Sequence, residues 1–548
     1  MKNKIQILTS AFLAFMIIFS LASCKGNSDE SVVLTEEDKS YYTPIAVYNN
    51  SQPVNEDFKG INGVHMGWEY MYDTIGANRI PLKDWQRETV YDRIAYTMGV
   101  KQIRTFYTSA FAFDEEKNAW QWDVEKNKDL KGFYESLKAW QKRDVEVGMA
   151  AQWSMGAFDA SASNTGNPVT SFAGNGFYVE GDLDATLKNY RNFIKDTVLS
   201  LEANGIHNVK YLFAFTECNN TYLSKNNKLN PTASAFENRD YKKVSELFGK
   251  AVTALDAGLK DAGKRDKYKI VGPCDNFRTD FDYTDAEQYS YLSKYTLENL
   301  ADKVDIIGSH GGYSYADQYT SDVYYDNPIT TMQKTTEMTH NAGKEFWIDE
   351  YNAVIYQQIV NDVKENRVLQ ENTFKGVALG ASVNGIMNMG VDNVFLWAMG
   401  DIQWPNITRS NQFDSGLLIF GFLPSPTESM MPYPSYYSAS LLTKYIGSGK
   451  VYNCDVSFGI YTSFIKRDDG EYTVVVTNYN TMEAPVFVKF EKSLKGKTFY
   501  RHLYDANNVT PDSSAEVIGV SATAKNVGDG FYDTLPPFSV AVYTTDKN

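Results

Sequence analysis

Lys344-Glu345-Phe346-Trp347-Ile348-Asp349-Glu350-Tyr351-Asn352 is an apolar run that follows Gly343 and closes on carboxylates. Read as a strand, its alternation puts Phe346, Ile348 and Glu350 on one face and Trp347, Asp349 and Tyr351 on the other. A strand that buries one face and finishes in Glu places that Glu where the chain leaves the core. In a parallel barrel this is the rim at the carboxyl ends of the strands, where catalytic groups sit. Val209-Lys210-Tyr211-Leu212-Phe213-Ala214-Phe215-Thr216-Glu217-Cys218-Asn219-Asn220 has the same build, with Phe213, Phe215 and Glu217 on one face.

Outward from these two runs, strand and helix signals alternate from residue 60 to 446. Strands are predicted at Gly60–Met66, Gln102–Phe106, Val145–Gln152, Val209–Thr216, Lys269–Gly272, Asp305–Ser309, Glu345–Asp349 and Asn393–Trp397. Helical stripes run Leu183, Leu187, Tyr190, Phe193, Ile194, Val198, Leu201 and Tyr241, Val244, Leu247, Phe248, Val252, Leu255, Leu259, with a shorter one at Val90, Ile94 and Met98. This predicts an α/β fold, a (β/α)8 TIM barrel. A doubly wound sheet is the alternative, but no Gly-rich phosphate turn follows the first strand. Long segments follow the strands (153–182, 218–240 and 398–434) and short ones precede them, which places a cleft at the strand ends. After Gly447 the pattern becomes Ile460–Ile465, Tyr472–Asn478, Pro485–Phe490, Thr498–Tyr504 and Phe538–Tyr543, separated by turns such as Asp468-Asp469-Gly470. That reads as a small antiparallel β-sandwich, to which residues 42–58 offer a strand. The expected organisation is a leader at 1–24, a flexible tether at 25–41, a catalytic barrel at 42–446 and the sandwich at 447–548.

The leader has Lys2 and Lys4 ahead of an apolar stretch from Ile5 to Leu21. Its end, Leu21-Ala22-Ser23-Cys24, resembles a bacterial lipobox. This resemblance implies a signal peptide, lipid on the Cys24 thiol and a lipoprotein of the cell envelope, at the outer membrane and facing the periplasm or the cell surface. Asp29-Glu30 resembles a surface-export signal. A net charge of −15 without a basic stripe argues against nucleic acid as a partner. The 38 Tyr, 31 Phe and 9 Trp are read as bulky core packing and as platforms on which sugar rings would stack. The five His are scattered without HxH or HExxH spacing, and no cofactor or metal is expected. Of the four Cys, Cys218 and Cys274 follow neighbouring strands and are candidates for a disulfide.

Hydrolysis of a glycosidic bond needs two carboxyl groups. In the retaining route they stand about 5–5.5 Å apart, one as nucleophile and one as acid/base. Glu217 and Glu350, ending the fourth and seventh strands, suit that demand. Here the chain resembles clan A glycoside hydrolases over residues 60–446. Phe346-Trp347-Ile348-Asp349-Glu350-Tyr351-Asn352 looks like the nucleophile strand of their β-xylosidase and α-L-arabinofuranosidase branches, and Phe215-Thr216-Glu217-Cys218-Asn219 like the acid/base strand. The resemblance implies a retaining glycosidase acting on poly- or oligosaccharides, with Glu350 as nucleophile and Glu217 as acid/base. Thr216 stands where the clan usually has Asn, so Asn219 is the candidate to supply the amide. By the same resemblance Arg104 lies beside the nucleophile, with a structural ion pair as the alternative. His310, before the glycines Gly311-Gly312, and Tyr313 surround the nucleophile, unless the segment is only a tight turn. Trp397 forms a platform under the sugar or packs under the C-terminal domain. Trp153, His65 and Trp68 are further candidates, and Asp401 and Trp404 are candidates for outer subsites. Phe213 and Phe215 are expected to desolvate Glu217 and raise its pKa. Two other readings stand beside this one. One is a non-catalytic glycan-binding lipoprotein on a barrel scaffold. The other is an inverting glycosidase with Asp349 or Asp275 as base. No chemistry is expected of residues 447–548.

Overall fold

The computed structural model describes the chain apart from residues 1–34, 67–81, 151–175, 217–240, 277–289, 312–325, 354–364, 404–416, 419–420 and 424–429, and the positions 108, 115–116, 118, 180, 401, 458, 525 and 548. Packing divides it into Met1–Thr43 and Pro44–Asn548. In the first unit, within the stretch expected as a tether, Glu36–Lys39 form one helical turn. The barrel and the antiparallel sheets both fall in the second. Among the described residues no helix is long and apolar enough to cross a membrane.

Eight parallel strands close into a barrel: β1 (Gly63–Met66), β2 (Gln102–Phe106), β3 (Glu146–Ala150), β4 (Val209–Phe213), β5 (Lys269–Asn276), β6 (Ile306–His310), β7 (Glu345–Tyr351) and β8 (Asn393–Leu396). β8 returns beside β1, with Phe395 opposite Gly63. The apolar stripes form where period 3.6 places them. In Leu183–Ala203 the residues Tyr190, Phe193, Ile194, Val198 and Leu201 are buried, and Asp182 caps the helix by accepting from the Ala185 N–H at 2.9 Å. Inside the barrel, aromatic rings fill space that glycines leave open. A Cβ on Gly63 would stand 2.1 Å from the Phe395 ring, and one on Gly148 2.3 Å from the Phe213 ring. Phe213 and Phe395 meet edge to face at 5.7 Å and form the floor beneath the carboxyl-end rim.

The antiparallel strands form a seven-stranded sheet and a three-stranded sheet with an apolar core of their own, including Phe464, Val474, Val486, Phe490 and Tyr543. Residues 42–58 give two strands. Asn55–Phe58 pairs with Gly449–Tyr452 at the edge of the larger sheet, and Thr43–Val47 belongs to the smaller one. The first barrel strand therefore begins only at Gly63. Glu365–Asn388, the helix after β7, lies against the larger sheet. Asn384 donates to Tyr461 O at 2.9 Å and accepts from Ser463 Oγ at 2.6 Å, and Tyr504 donates to Thr373 O at 2.6 Å. From Lys375 to Asn384 every side chain is buried, because barrel and sheet cover both sides of the helix.

Two facing expectations fail for local reasons. β4 ends at Phe213, which points into the barrel, whereas Phe215 joins the outer core 5.6 Å from Phe248 of the helix Tyr241–Asp261. The two rings do not share a face, so they do not form a common apolar wall for Glu217. In β7, Phe346 and Ile348 belong to the outer core and Trp347 to the interior, as alternation requires. Register then slips between Ile348 and Tyr351 against β8, and between Ser309 and His310 against β6. The slip turns Glu350 away from the face of Phe346 and Ile348 and towards Arg104 of β2, while Tyr351 returns to the outer core.

Candidate active site

The site is built from inward residues near the carboxyl ends of the barrel strands. On β2, Arg104 is fully buried. Its Nη1 donates to Glu350 Oε1, its Nη2 donates to Thr216 Oγ1 at 3.0 Å, and Nη2 stands 3.9 Å from Asp349 Oδ2. The rings of Phe213 and Phe106 flank the guanidinium at 4.9 and 5.6 Å. Burial alone would lower the pKa of Arg104, but the Glu350 and Asp349 charges outweigh it and hold the group above its ordinary value. Thr216 is thus a partner of Arg104.

Two consecutive carboxylates, Asp349 and Glu350, face this guanidinium. Asp349 is fully buried and Glu350 is 4% exposed. His310 at the end of β6 lies beside them, its Nδ1 2.9 Å from Asp349 Oδ1 and its Nε2 3.6 Å from Glu350 Oε1. Burial pushes the Asp349 carboxyl up, yet His310 and Arg104 together hold it below the usual carboxylate range. His65 on β1 stacks between Phe106 and Trp397, with centroids at 4.4 and 4.2 Å. Burial, then the charges of Arg104 and His310, hold its imidazole well below the ordinary histidine range. His65 is therefore a neutral packing ring, and Trp397 rests on it.

Asp275 lies deeper, fully buried, accepting from Ser309 Oγ at 2.6 Å and from Ser290 Oγ. Burial pushes its carboxyl up to about 6, against the pull of the two hydroxyls and of His310. Neither Asp275 nor Asp349 has exposed surface. Cys274 is buried in the barrel interior with its thiol unbridged. The proposed bridge to Cys218 is not formed. Gly311 does not open space for a ligand: a Cβ there would meet the Tyr351 ring at 2.9 Å, so this glycine admits β7. A cavity of about 770 Å³ at the opposite end of the barrel is lined by Lys59, Lys101, Asp305 and Glu345. Lys59 there is paired with Asp57 at 2.5 Å, and the carboxylate–guanidinium–imidazole cluster is at the other end.

The structure thus brings together Arg104, Glu350, His310, His65 and Trp397. Glu217, Asn219, Trp153, Tyr313, Trp68, Asp401, Trp404, Cys218 and Cys24 lie outside the described residues. Sequence reasoning missed the coupling of Asp349 to His310 and of Thr216 to Arg104. Two acidic residues in succession at the end of a buried strand were the available signal, because regular alternation would bury one of them on the apolar face.

No protein-family model matches the chain, and no curated protein matches it by sequence. The fold itself is shared widely. A closed (β/α)8 barrel with an antiparallel sandwich is the architecture of solved glycoside hydrolases. The subfamily 8 xylanase of glycoside hydrolase family 30 from Clostridium acetobutylicum superposes with a TM-score of 0.55 at 15% identity, over 91% of this chain and 99% of the xylanase. The catalytic domain of xylanase C of the same family from Talaromyces cellulolyticus gives 0.57 at 12% identity, over 92% and 99%. An endo-β1,6-glucanase gives 0.55 at 15% identity, over 95% and 96%. At these identities the likeness establishes the fold.

Proposed function

We propose that the protein is a retaining glycoside hydrolase that cleaves β-linked glycans by double displacement, with Glu350 as nucleophile and Glu217 as acid/base. The observation that carries the reading is the Glu350 carboxylate, turned inward at the end of β7 onto a buried guanidinium. A nucleophile must be ionised, and Arg104 favours the charged form. Glu350 attacks the anomeric carbon while Glu217 protonates the departing oxygen. Glu217 then takes a proton from the water that releases the sugar from Glu350. The structural neighbours are named as xylanases and a β1,6-glucanase, which makes β-xylan and β1,6-glucan the first substrates to try. The likeness of Phe346–Asn352 to β-xylosidases and α-L-arabinofuranosidases adds aryl xylosides and arabinofuranosides. With Thr216 engaged by Arg104, Asn219 is the candidate for the sugar 2-hydroxyl. The Leu21–Cys24 motif supports a lipid-anchored protein at the outer membrane.

The test is a glycan screen followed by two variants. Glu350→Ala should lose essentially all turnover with every leaving group. Glu217→Ala should lose roughly 10²–10⁴-fold on natural glycans, far less with a dinitrophenyl leaving group, and should yield the β-glycosyl azide from a β-glycoside when azide is added. Azide rescue of Glu350→Ala to the opposite anomer would reverse the roles.

A further inference from the structure

We propose that Asp349 is a positioning residue that holds the His310 ring as an imidazolium between two carboxylates, making His310 a second cation, beside Arg104, that fixes the charge of Glu350. The inference rests on the reading of Glu350 as nucleophile. The slip in β7 is its structural origin. A regular strand would turn one of two neighbours inward, but here both Asp349 and Glu350 face Arg104. The guanidinium is committed to Glu350 and Thr216, and its 3.9 Å separation from Asp349 is beyond hydrogen-bond reach. His310 occupies the gap, with Nδ1 at 2.9 Å from Asp349 and Nε2 at 3.6 Å from Glu350.

A neutral imidazole has one N–H and one lone pair, so one of its nitrogens would turn a lone pair towards a carboxylate. The doubly protonated ring donates Nδ1–H to Asp349 and sets a positive Nε2–H 3.6 Å from Glu350, beyond hydrogen-bond reach, where it acts through its charge. Charge balance points the same way. Asp349 and Glu350 set against one guanidinium leave a negative charge uncompensated among buried side chains, and a proton on His310 cancels it. Among the described residues, the charged and titratable groups around this ring are also Asp275 from β5, whose ionised form favours the cation, Arg104 from β2, which opposes it, and His65 from β1, whose own charging is disfavoured by burial. In the covalent intermediate Glu350 becomes an uncharged ester. The bond from Glu350 to the anomeric carbon forms as the bond to the leaving oxygen breaks, the proton for that oxygen comes from Glu217, and the His310 proton stays on its ring, held by Asp349. The cluster then carries a surplus positive charge that favours return of Glu350 to the carboxylate.

Asp349→Asn separates charge from geometry, since the amide oxygen still accepts from Nδ1–H. With ring-labelled histidine the five imidazoles are few enough to follow by NMR, and His310→Gln identifies the His310 signal. The expected result is that the imidazolium signal of His310 in Asp349→Asn disappears at least about one pH unit lower than in the wild type, a tenfold weaker hold on the proton. The alkaline limb of kcat/KM should move down with it, which a purely structural role would not cause. A titration unchanged in Asp349→Asn overturns the proposal. So does a His310 ring that is neutral across the pH range in the wild type, a measurement that needs no variant to fold. If the NMR shift is found but the wild type cleaves no glycoside, the hydrolase reading falls and the dyad stands. If the wild type cleaves glycans and the shift is absent, the dyad alone falls.

Discussion

Replacing Asp275 by Asn should make the protein relatively more stable as the pH rises. Asp275 has no exposed surface, and burial raises its carboxyl to about 6. The folded state therefore binds this proton more tightly than the unfolded chain, whose carboxyl titrates near ~4. Between about pH 4 and pH 6 the folded state holds more protons, so stability falls with rising pH across that window. Below it the penalty is absent, and above it the penalty is complete. About two pKa units at about 1.4 kcal/mol each make the full penalty about 3 kcal/mol. Asn carries no charge to desolvate, and its oxygen and amino group can engage the Ser309 and Ser290 hydroxyls that hold the carboxylate. At about 2.1 cal/mol/K per residue, about 500 packed residues unfold with an entropy of about 1 kcal/mol/K. About a third of the penalty is already present at pH 4.5, so the Tm of Asp275→Asn minus that of the wild type should rise by about 2 °C between about pH 4.5 and pH 7.5 in scanning calorimetry. A Tm difference that is flat over this range, or that falls, refutes the account of Asp275 as a buried carboxyl ionised against its surroundings.

Four further outcomes follow from the packing, one of them with a control. Arg104→Met leaves Glu350 buried without its guanidinium and should cost about 3–5 kcal/mol in denaturant unfolding. Arg104→Lys should recover only part of the lost turnover, because one ammonium cannot serve Glu350 and Thr216 in the same planar geometry. Gly148→Ala drives a methyl into the Phe213 ring and should cost about 1–3 kcal/mol, with turnover falling too because that ring supports Arg104. Gly519→Ala, with nothing within 4 Å of its Cβ position, is the control and should leave both unchanged. Truncation at Gly447 uncovers the helix Glu365–Asn388 and leaves Asn55–Phe58 without its partner, so the shortened protein should be recovered only in aggregates, as read by size exclusion.

All eight barrel strands were legible because each is a short apolar run bounded by helical periodicity, and β2 and β7 were placed to within two residues. Period-two reasoning failed where the ladder does. Nothing in Phe346–Tyr351 alone says that register slips after Ile348, since the slip depends on how β6 and β8 lie alongside. The split between Phe213 and Phe215 has the same origin: the strand stops at Phe213 and the chain turns outward to Phe248. Asp275 looked like a candidate base because an acid near a strand end reads alike whether it meets water or two serines. Arg104 could be placed beside Glu350 through the family likeness. The partnership of Thr216 with Arg104 could not, because it joins β2 to the end of β4 across the barrel.

The strands Thr43–Val47 and Asn55–Phe58 are made early, yet their partners lie beyond residue 448. Joining such distant segments through an open chain would cost about 5 kcal/mol of closure entropy for a ~400-residue loop. The barrel removes most of that cost. When β8 settles beside β1, Lys59 N–H reaches Asp392 O at 2.7 Å, and Phe58 is delivered to Gly449. Closure of the cylinder and pairing at the edge of the outer sheet are thus tied through the same short stretch of chain, and the seven-stranded sheet acts as a clasp across the seam between the first and last barrel strands. A chain caught before that moment exposes two unpaired edges at once, and once fastened it has no route to open the barrel seam without also undoing the clasp.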